Sequence, residues 1–128
     1  EFAALAIGDS CLFQVRDGKM IWSFPFATSE EFNSRPWLLS SLSPGAEREI
    51  AAQGAHGVWQ PGDLFFLMTD ALACWTMRRL EAGDDPFATL LAIDMVAAFE
   101  AFVTEQRAAV NGEGVSLLKN DDVTMVMY

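Results

Sequence analysis

The chain has 128 residues, a formal net charge of −10 and 52% hydrophobic residues. This length suits one domain with one core, and the apolar content excludes a disordered chain. Eight Lys and Arg stand against 18 Asp and Glu. We therefore expect neither nucleic acid nor an anionic membrane surface as a partner, because both are bound through positive charge. No apolar run approaches the roughly 20 residues of a membrane span.

Apolar runs separated by turn residues predict strands at the start of the chain. We expect strands over residues 2–7, 11–16 and 19–24. Gly8-Asp9-Ser10 would form the first corner, and Asp17-Gly18 is typical of a hairpin turn. The sequence therefore predicts a three-stranded antiparallel meander with Asp9 at its first corner.

Residues 25–60 are the least regular third of the chain, with repeated Pro and Gly. A short helix is predicted from Ser43-Pro44-Gly45 to Ala52. A connection of this length is either a covering flap near a binding site or a solvated surface excursion. The sequence leaves both alternatives open. His56, the single histidine, lies here, and we assign it no catalytic role.

The second half predicts a central strand, helices and a last strand. Leu64 to Thr69 is a continuous apolar run, which is typical of a strand covered on both faces. A helix is expected over 71–81 and a longer one over 87–109, before a last strand over 123–127. Apolar residues of the longer helix recur at spacings of three and four, which predicts a stripe facing the sheet: Phe87, Leu90, Leu91, Met95, Ala98, Phe99, Phe102 and Val103. Charged residues of this segment are expected to be exposed, Arg107 among them.

The two cysteines, Cys11 and Cys74, lack the spacing of a metal site. They lie in strand-like and helix-like contexts, so we expect buried free thiols. Such thiols indicate a reducing, cytoplasmic location.

Three short stretches each place an aspartate at the end of a predicted strand. They are Gly8-Asp9-Ser10, Thr69-Asp70-Ala71 and the stretch Asn120-Asp121-Asp122-Val123-Thr124. Carboxylate oxygens suit hard cations such as Mg²⁺ and Mn²⁺, which keep several waters and need few protein ligands. Each aspartate taken singly is equally an ordinary turn or cap residue.

Taken in order, the three stretches resemble the C-terminal half of a metal-dependent serine/threonine phosphatase of the protein phosphatase 2C type. That family has GDS followed by a basic residue, then a hydrophobic strand ending in S/T-D-G, then a closing D-D/N-x-T/S strand. The resemblance runs from Ala4 to Met127. It departs from the family at Cys11, where a basic residue is usual, and at Ala71, where Gly is usual. Neither departure removes a carboxylate.

The resemblance implies a fold and a function. The expected fold is α+β and forms part of a four-layer αββα sandwich, in which antiparallel sheets pack face to face with helices outside. The expected activity is hydrolysis of phosphate monoesters on a phosphoprotein by a metal-activated water, with Mg²⁺ or Mn²⁺ as cofactor. Asp70 and Asp121 would bind the binuclear metal centre, and Asp9 a further, weaker ion. Asp122 stands where the family often has Asn and would be a supporting or capping residue, and Ser10 and Thr124 would support the ligands through hydrogen bonds.

The family's N-terminal half, with its phosphate-binding Arg and its first metal-bridging Asp-Gly, has no counterpart here. We therefore expect residues 1–128 to be a single partial domain, and the chain to be a fragment with weak or no activity alone. Its open sheet edges would associate with the missing half or with a second copy. A non-catalytic regulatory or binding module of the same fold is the alternative function, and an unrelated acidic α+β domain is the third possibility.

Overall fold

The computed structural model describes residues 1–6, 8–33 and 53–128. These residues form an α+β structure with two antiparallel sheets and three α-helices. The strands are β1 (Phe2–Ala6), β2 (Cys11–Arg16), β3 (Lys19–Phe24), β4 (Gln53–Gly57), β5 (Leu64–Met68) and β6 (Met125–Met127). The helices are α1 (Asp70–Glu81), α2 (Pro86–Leu91) and α3 (Val96–Ala108), with a short 3-10 helix over Ser29–Asn33. The predicted helix ending at Ala52 lies outside the described residues.

The larger sheet has four strands in the order β3-β2-β5-β6, all antiparallel. A two-residue turn joins β2 to β3 and places Arg16 opposite Lys19. Asp17 and Gly18 have φ angles of 51° and 73°, and this left-handed pair is the geometry that matches the twist of a tight hairpin. The predicted hairpin is therefore confirmed.

The first strand pairs differently from the prediction. β1 lies against β4, with Phe2 opposite Gly57 and Ala3 opposite His56, and it does not join β2. The predicted three-stranded meander is therefore wrong at its first strand, and His56 lies in a strand. The close fit depends on Gly57, because a Cβ at that position would overlap the Phe2 ring. Such a long-range pairing is chosen by packing, which a local pattern does not contain.

The core lies between one face of the four-stranded sheet and the helices. Phe87 of α2 is fully buried, and its ring centroid lies 5.9 Å from that of Phe13 and 5.1 Å from that of Phe66. On the opposite face, Phe2 packs edge-on against Trp22 and Phe65. The described residues cover that face incompletely: two facing residues, Leu67 of β5 and Val126 of β6, are 45% and 39% exposed.

The predicted long helix is divided into α2 and α3. Leu91 and Met95, assigned to its apolar stripe, are 41% and 64% exposed at this break. One helix over 87–109 would be about 35 Å long, whereas a six-residue strand spans only about 20 Å. In the divided form, Phe87 of α2 packs on Phe13 and Phe66 of the sheet, whereas Phe102 of α3 packs on Trp75 of α1. Among the described residues, no helix is long and apolar enough to cross a membrane.

Candidate functional site

Two of the three predicted aspartates come together where β5 meets β6. Met68 at the end of β5 pairs with Met125 at the start of β6, so the chain that leaves β5 lies beside the chain that enters β6. The Lys119 ammonium nitrogen lies 3.6 Å from Oδ2 of Asp70 and 2.9 Å from Oδ2 of Asp121. Both carboxylates therefore face a single cation.

Thr69 joins the two segments that carry these carboxylates. Its hydroxyl donates a hydrogen bond to the Asp122 carbonyl (3.1 Å) and accepts one from the Thr124 amide (3.0 Å). Its own amide donates to the Thr124 carbonyl (3.1 Å). Because Thr69 precedes Asp70 directly, these bonds fix the start of α1 against the loop that contains Asp121.

The backbone and the Asp121 carboxylate are held from two further sides. Oδ1 of Asp121 accepts a hydrogen bond from the Asp122 amide (2.9 Å), and the Asp121 carbonyl accepts one from the Arg107 guanidinium. Arg107 was predicted to be exposed, but it is half-buried, and its Nε atom is buried without a partner among the described residues. α3 therefore contributes to the positioning of this loop.

The closer ion pair, between Lys119 and Asp121, shifts the pKa of both of its partners. The Lys119 ammonium, by donating a hydrogen bond and by its charge, lowers the pKa of Asp121. Asp121, followed by Asp70, raises the pKa of Lys119. Both groups are therefore ionised at neutral pH, and the pair forms a local cluster of charge at the end of the sheet.

Asp9 stands apart from this pair. It is half-buried at the bend before β2, and its carbonyl accepts a weak hydrogen bond from the Cys11 thiol (3.7 Å). Burial raises the pKa of Cys11 to about 12, with smaller contributions from the charges of Asp9, Glu31 and Asp70. Within residues 1–6, 8–33 and 53–128, no three His, Cys, Asp or Glu side chains are placed to hold one metal ion.

The three residues predicted to support the ligands, Ser10, Asp122 and Thr124, are all exposed. Asp122 is exposed and contributes its backbone, as does Thr124. Ser10 is exposed, and its hydroxyl makes no hydrogen bond to another described residue. The hydroxyl that supports the site is that of Thr69, one residue before the acid.

A pocket of about 420 Å³ opens beside Asp70. Apolar side chains line one part of it, with Phe32 and Trp75 among them, and Arg78 and Lys119 supply positive charge. Arg78 is exposed, and no carboxylate among the described residues forms a salt bridge with it. The lining of the pocket thus combines an apolar surface with two cations, Arg78 and Lys119, and the Asp70 carboxylate. The chain as a whole has a net charge of −10.

The sequence analysis gave no role to Lys119, Thr69 or Arg107. Lys119 lies two residues before Asp121 in an acidic stretch, and Thr69 belongs to the Thr69-Asp70-Ala71 motif, so the sequence carried a signal for both. Arg107 carried none, since its role depends on a contact between segments distant in sequence. No protein-family model, curated protein or solved structure matches the chain.

Proposed function

We propose that this chain is the metal-binding part of a metal-dependent serine/threonine phosphatase of the protein phosphatase 2C type. One observation supports the proposal most directly: Asp70 and Asp121, from two separate motifs, face one cation at 3.6 Å and 2.9 Å. The order of the three motifs, which the sequence resemblance provides, is the second support.

The residues at this point fit a hard divalent cation. Asp70 and Asp121 present carboxylate oxygens to a position that an ammonium group already occupies, and their side chains are 26% and 46% exposed. Mg²⁺ and Mn²⁺ prefer oxygen ligands and retain water, so a partly open pair of carboxylates suits them. Asp9 would hold a further, weaker ion. A cation held here would polarise a phosphoryl oxygen and lower the pKa of a bound water.

Other residues of the chain would orient a phosphoprotein substrate. Arg78, which lines the pocket beside Asp70, would offer a planar guanidinium to a phosphate group. The apolar wall with Phe32 and Trp75 would accept a side chain next to the phosphorylated residue. In this division Arg78 would bind the phosphate group, and the Asp70 and Asp121 carboxylates would bind the metal.

The finer fold belongs to the same proposal. In a four-layer αββα sandwich, β1 and β4 would be part of the second sheet, which covers the face of the first sheet that Phe2 already touches. The remainder of the second sheet would come from an N-terminal half or from a second copy. Exposed Leu67 and Val126 mark the surface it would cover.

Mn²⁺ binding measured by calorimetry tests this function. We expect the wild-type chain to bind Mn²⁺, and both Asp70→Asn and Asp121→Asn to lose most of the binding heat. Asp94→Asn is the matched control, because it removes the same charge from an exposed residue outside the site. A phosphatase assay on a phosphoserine peptide, with and without Mn²⁺, follows on the proteins that bind. Equal Mn²⁺ affinity in all four proteins would refute the metal site.

A non-catalytic binding module of the same fold is the second candidate. It is favoured by the occupation of the acid pair by Lys119 and by the absence of a third acid beside the pair in the described part of the chain. The two candidates differ in one result. A module would bind a phosphopeptide in the pocket without Mn²⁺ and would release no phosphate when Mn²⁺ is added, whereas a phosphatase would release it.

A further inference from the structure

We infer that Lys119 is a tethered cation that occupies the Asp70–Asp121 pair and competes with a divalent metal ion for it. The inference rests on the proposed metal site and adds its regulation. In this arrangement the site exchanges an ammonium group for a metal ion, so that Lys119 sets the metal concentration at which the site fills. Removal of the Lys119 charge would tighten metal binding.

The geometry supplies the first argument. Lys119 forms salt bridges with both carboxylates through one nitrogen atom, at 3.6 Å and 2.9 Å. In the described part of the chain, no other Lys or Arg forms a salt bridge with Asp70 or Asp121. Arg107 also lies near, but its guanidinium donates to the Asp121 carbonyl, so it holds the loop and leaves the carboxylate oxygens free. The ammonium and a metal ion would therefore use the same oxygen atoms.

The exposure of these groups shows that the ammonium can be displaced. The Lys119 side chain is 67% exposed, and its two partners are 46% and 26% exposed. Ion pairs at such positions are weak, because water screens the charges and the flexible lysine stem loses entropy when it is fixed. Lys119 also lines the 420 Å³ pocket beside Asp70, which gives the ammonium room to move away from the carboxylates.

The expected effect follows from the strength of such pairs. One exposed ion pair contributes about a 1.4- to fivefold factor to an equilibrium constant. Lys119 makes two such pairs, so Lys119→Gln should bind Mn²⁺ about two- to twenty-fivefold more tightly. Lys119→Arg keeps the charge and should bind Mn²⁺ with nearly the wild-type affinity.

Mn²⁺ affinity is measured on the whole chain by electron paramagnetic resonance of free Mn²⁺, for the wild type and for the two Lys119 variants. Lys19→Gln is the matched control. Lys19 is the other lysine of the chain and is exposed, and its replacement by Gln changes the net charge by the same amount as Lys119→Gln does. Asp70→Asn in the Lys119→Gln background identifies the site that is filled. The supporting result is tighter binding in Lys119→Gln alone, which is lost when Asp70→Asn is added.

Two results would overturn the inference, and they are distinguishable from each other. If Lys119→Gln and Lys19→Gln bind Mn²⁺ as the wild type does, while Asp70→Asn abolishes binding, the metal site stands and the competition by Lys119 is wrong. If neither the wild type nor Lys119→Gln binds Mn²⁺, the proposed metal site fails and the competition fails with it.

Discussion

Thr69 offers a test of how the site is positioned that removes no charge and no proposed ligand. Replacement by Val keeps the shape and β-branching of the side chain and deletes the hydroxyl group. Two hydrogen bonds are lost with it, the one donated to the Asp122 carbonyl at 3.1 Å and the one accepted from the Thr124 amide at 3.0 Å. The backbone bond from the Thr69 amide to the Thr124 carbonyl remains.

The size of the effect follows from these two bonds. A hydrogen bond of this kind contributes about 0.5–1.5 kcal/mol to the free energy of unfolding. Loss of both should therefore cost Thr69→Val about 1–3 kcal/mol. In a domain of this length, 1 kcal/mol corresponds to about 4 °C in melting temperature. We expect Thr69→Val to melt about 4–12 °C below the wild type.

Thermal unfolding followed by circular dichroism measures this difference. Thr124→Val is the matched control: Thr124 is exposed, lies on the other side of the same contact, and uses only its backbone there. The free energy of unfolding of Thr124→Val should lie within about 0.5 kcal/mol of the wild-type value, as for ordinary surface substitutions. Its melting temperature should therefore change by only about 2 °C. Thr69→Val should also weaken Mn²⁺ binding, because the two carboxylates lose their fixed spacing. Equal melting temperatures for the two variants would refute the positioning role of Thr69.

Two further predictions concern acid stability and association. The Asp63 carboxylate has its pKa held well below the ordinary 3.8, first by hydrogen bonds from the Arg16 guanidinium. The ionised Asp63 carboxylate therefore stabilises the fold above about pH 4, and this stabilisation is lost as the pH falls below that value. In urea unfolding from pH 6 to 2, the free energy of unfolding should decline less for Asp63→Asn than for the wild type. An equal decline in the two proteins would contradict this. Sedimentation velocity should detect self-association that rises with ionic strength, because salt screens the net charge of −10, and Leu67→Glu on the open sheet face should abolish it. Leu91→Glu is the control, because Leu91 lies on α2 and is 41% exposed, close to the 45% of Leu67. A wild-type protein that stays monomeric at all salt concentrations would refute the association.

The parts of the fold that were correctly predicted are those set by local patterns. The hairpin of β2 and β3 follows from the Asp17-Gly18 turn between alternating strands, and helix α1 follows the apolar run of β5. The strand β4 was not predicted, because its sequence Gln-Gly-Ala-His-Gly has little strand propensity. It forms because β1 provides a partner and because Gly57 admits the Phe2 ring.

The helix over 87–109 shows the limit of periodicity in another way. Apolar spacing continues through the break between α2 and α3, so the pattern alone does not mark it. The two helices pack on different partners: Phe87 of α2 contacts Phe13 and Phe66 of the sheet, and Phe102 of α3 contacts Trp75 of α1. These contacts join residues distant in sequence, so a local apolar pattern does not contain them.

The candidate site was partly predictable for a similar reason. Asp70 and Asp121 were identified because each follows or precedes a strand, and strand ends meet at sheet edges. Asp9 was assigned to a further, weaker ion through the resemblance alone, and it lies at a separate bend. The difference is one of topology: β5 and β6 are neighbours in the sheet, whereas the bend that holds Asp9 joins β1 of one sheet to β2 of the other.

This topology also explains why Lys119 occupies the acid pair. Two carboxylates brought together by neighbouring strands repel each other unless a cation lies between them. A chain with 18 acidic and eight basic residues has few internal cations to supply. Lys119 stands two residues before Asp121, so it can reach both acids at little cost in chain entropy. A metal ion would meet the same electrostatic need, which is why the competition between the two cations is the decisive measurement for this site.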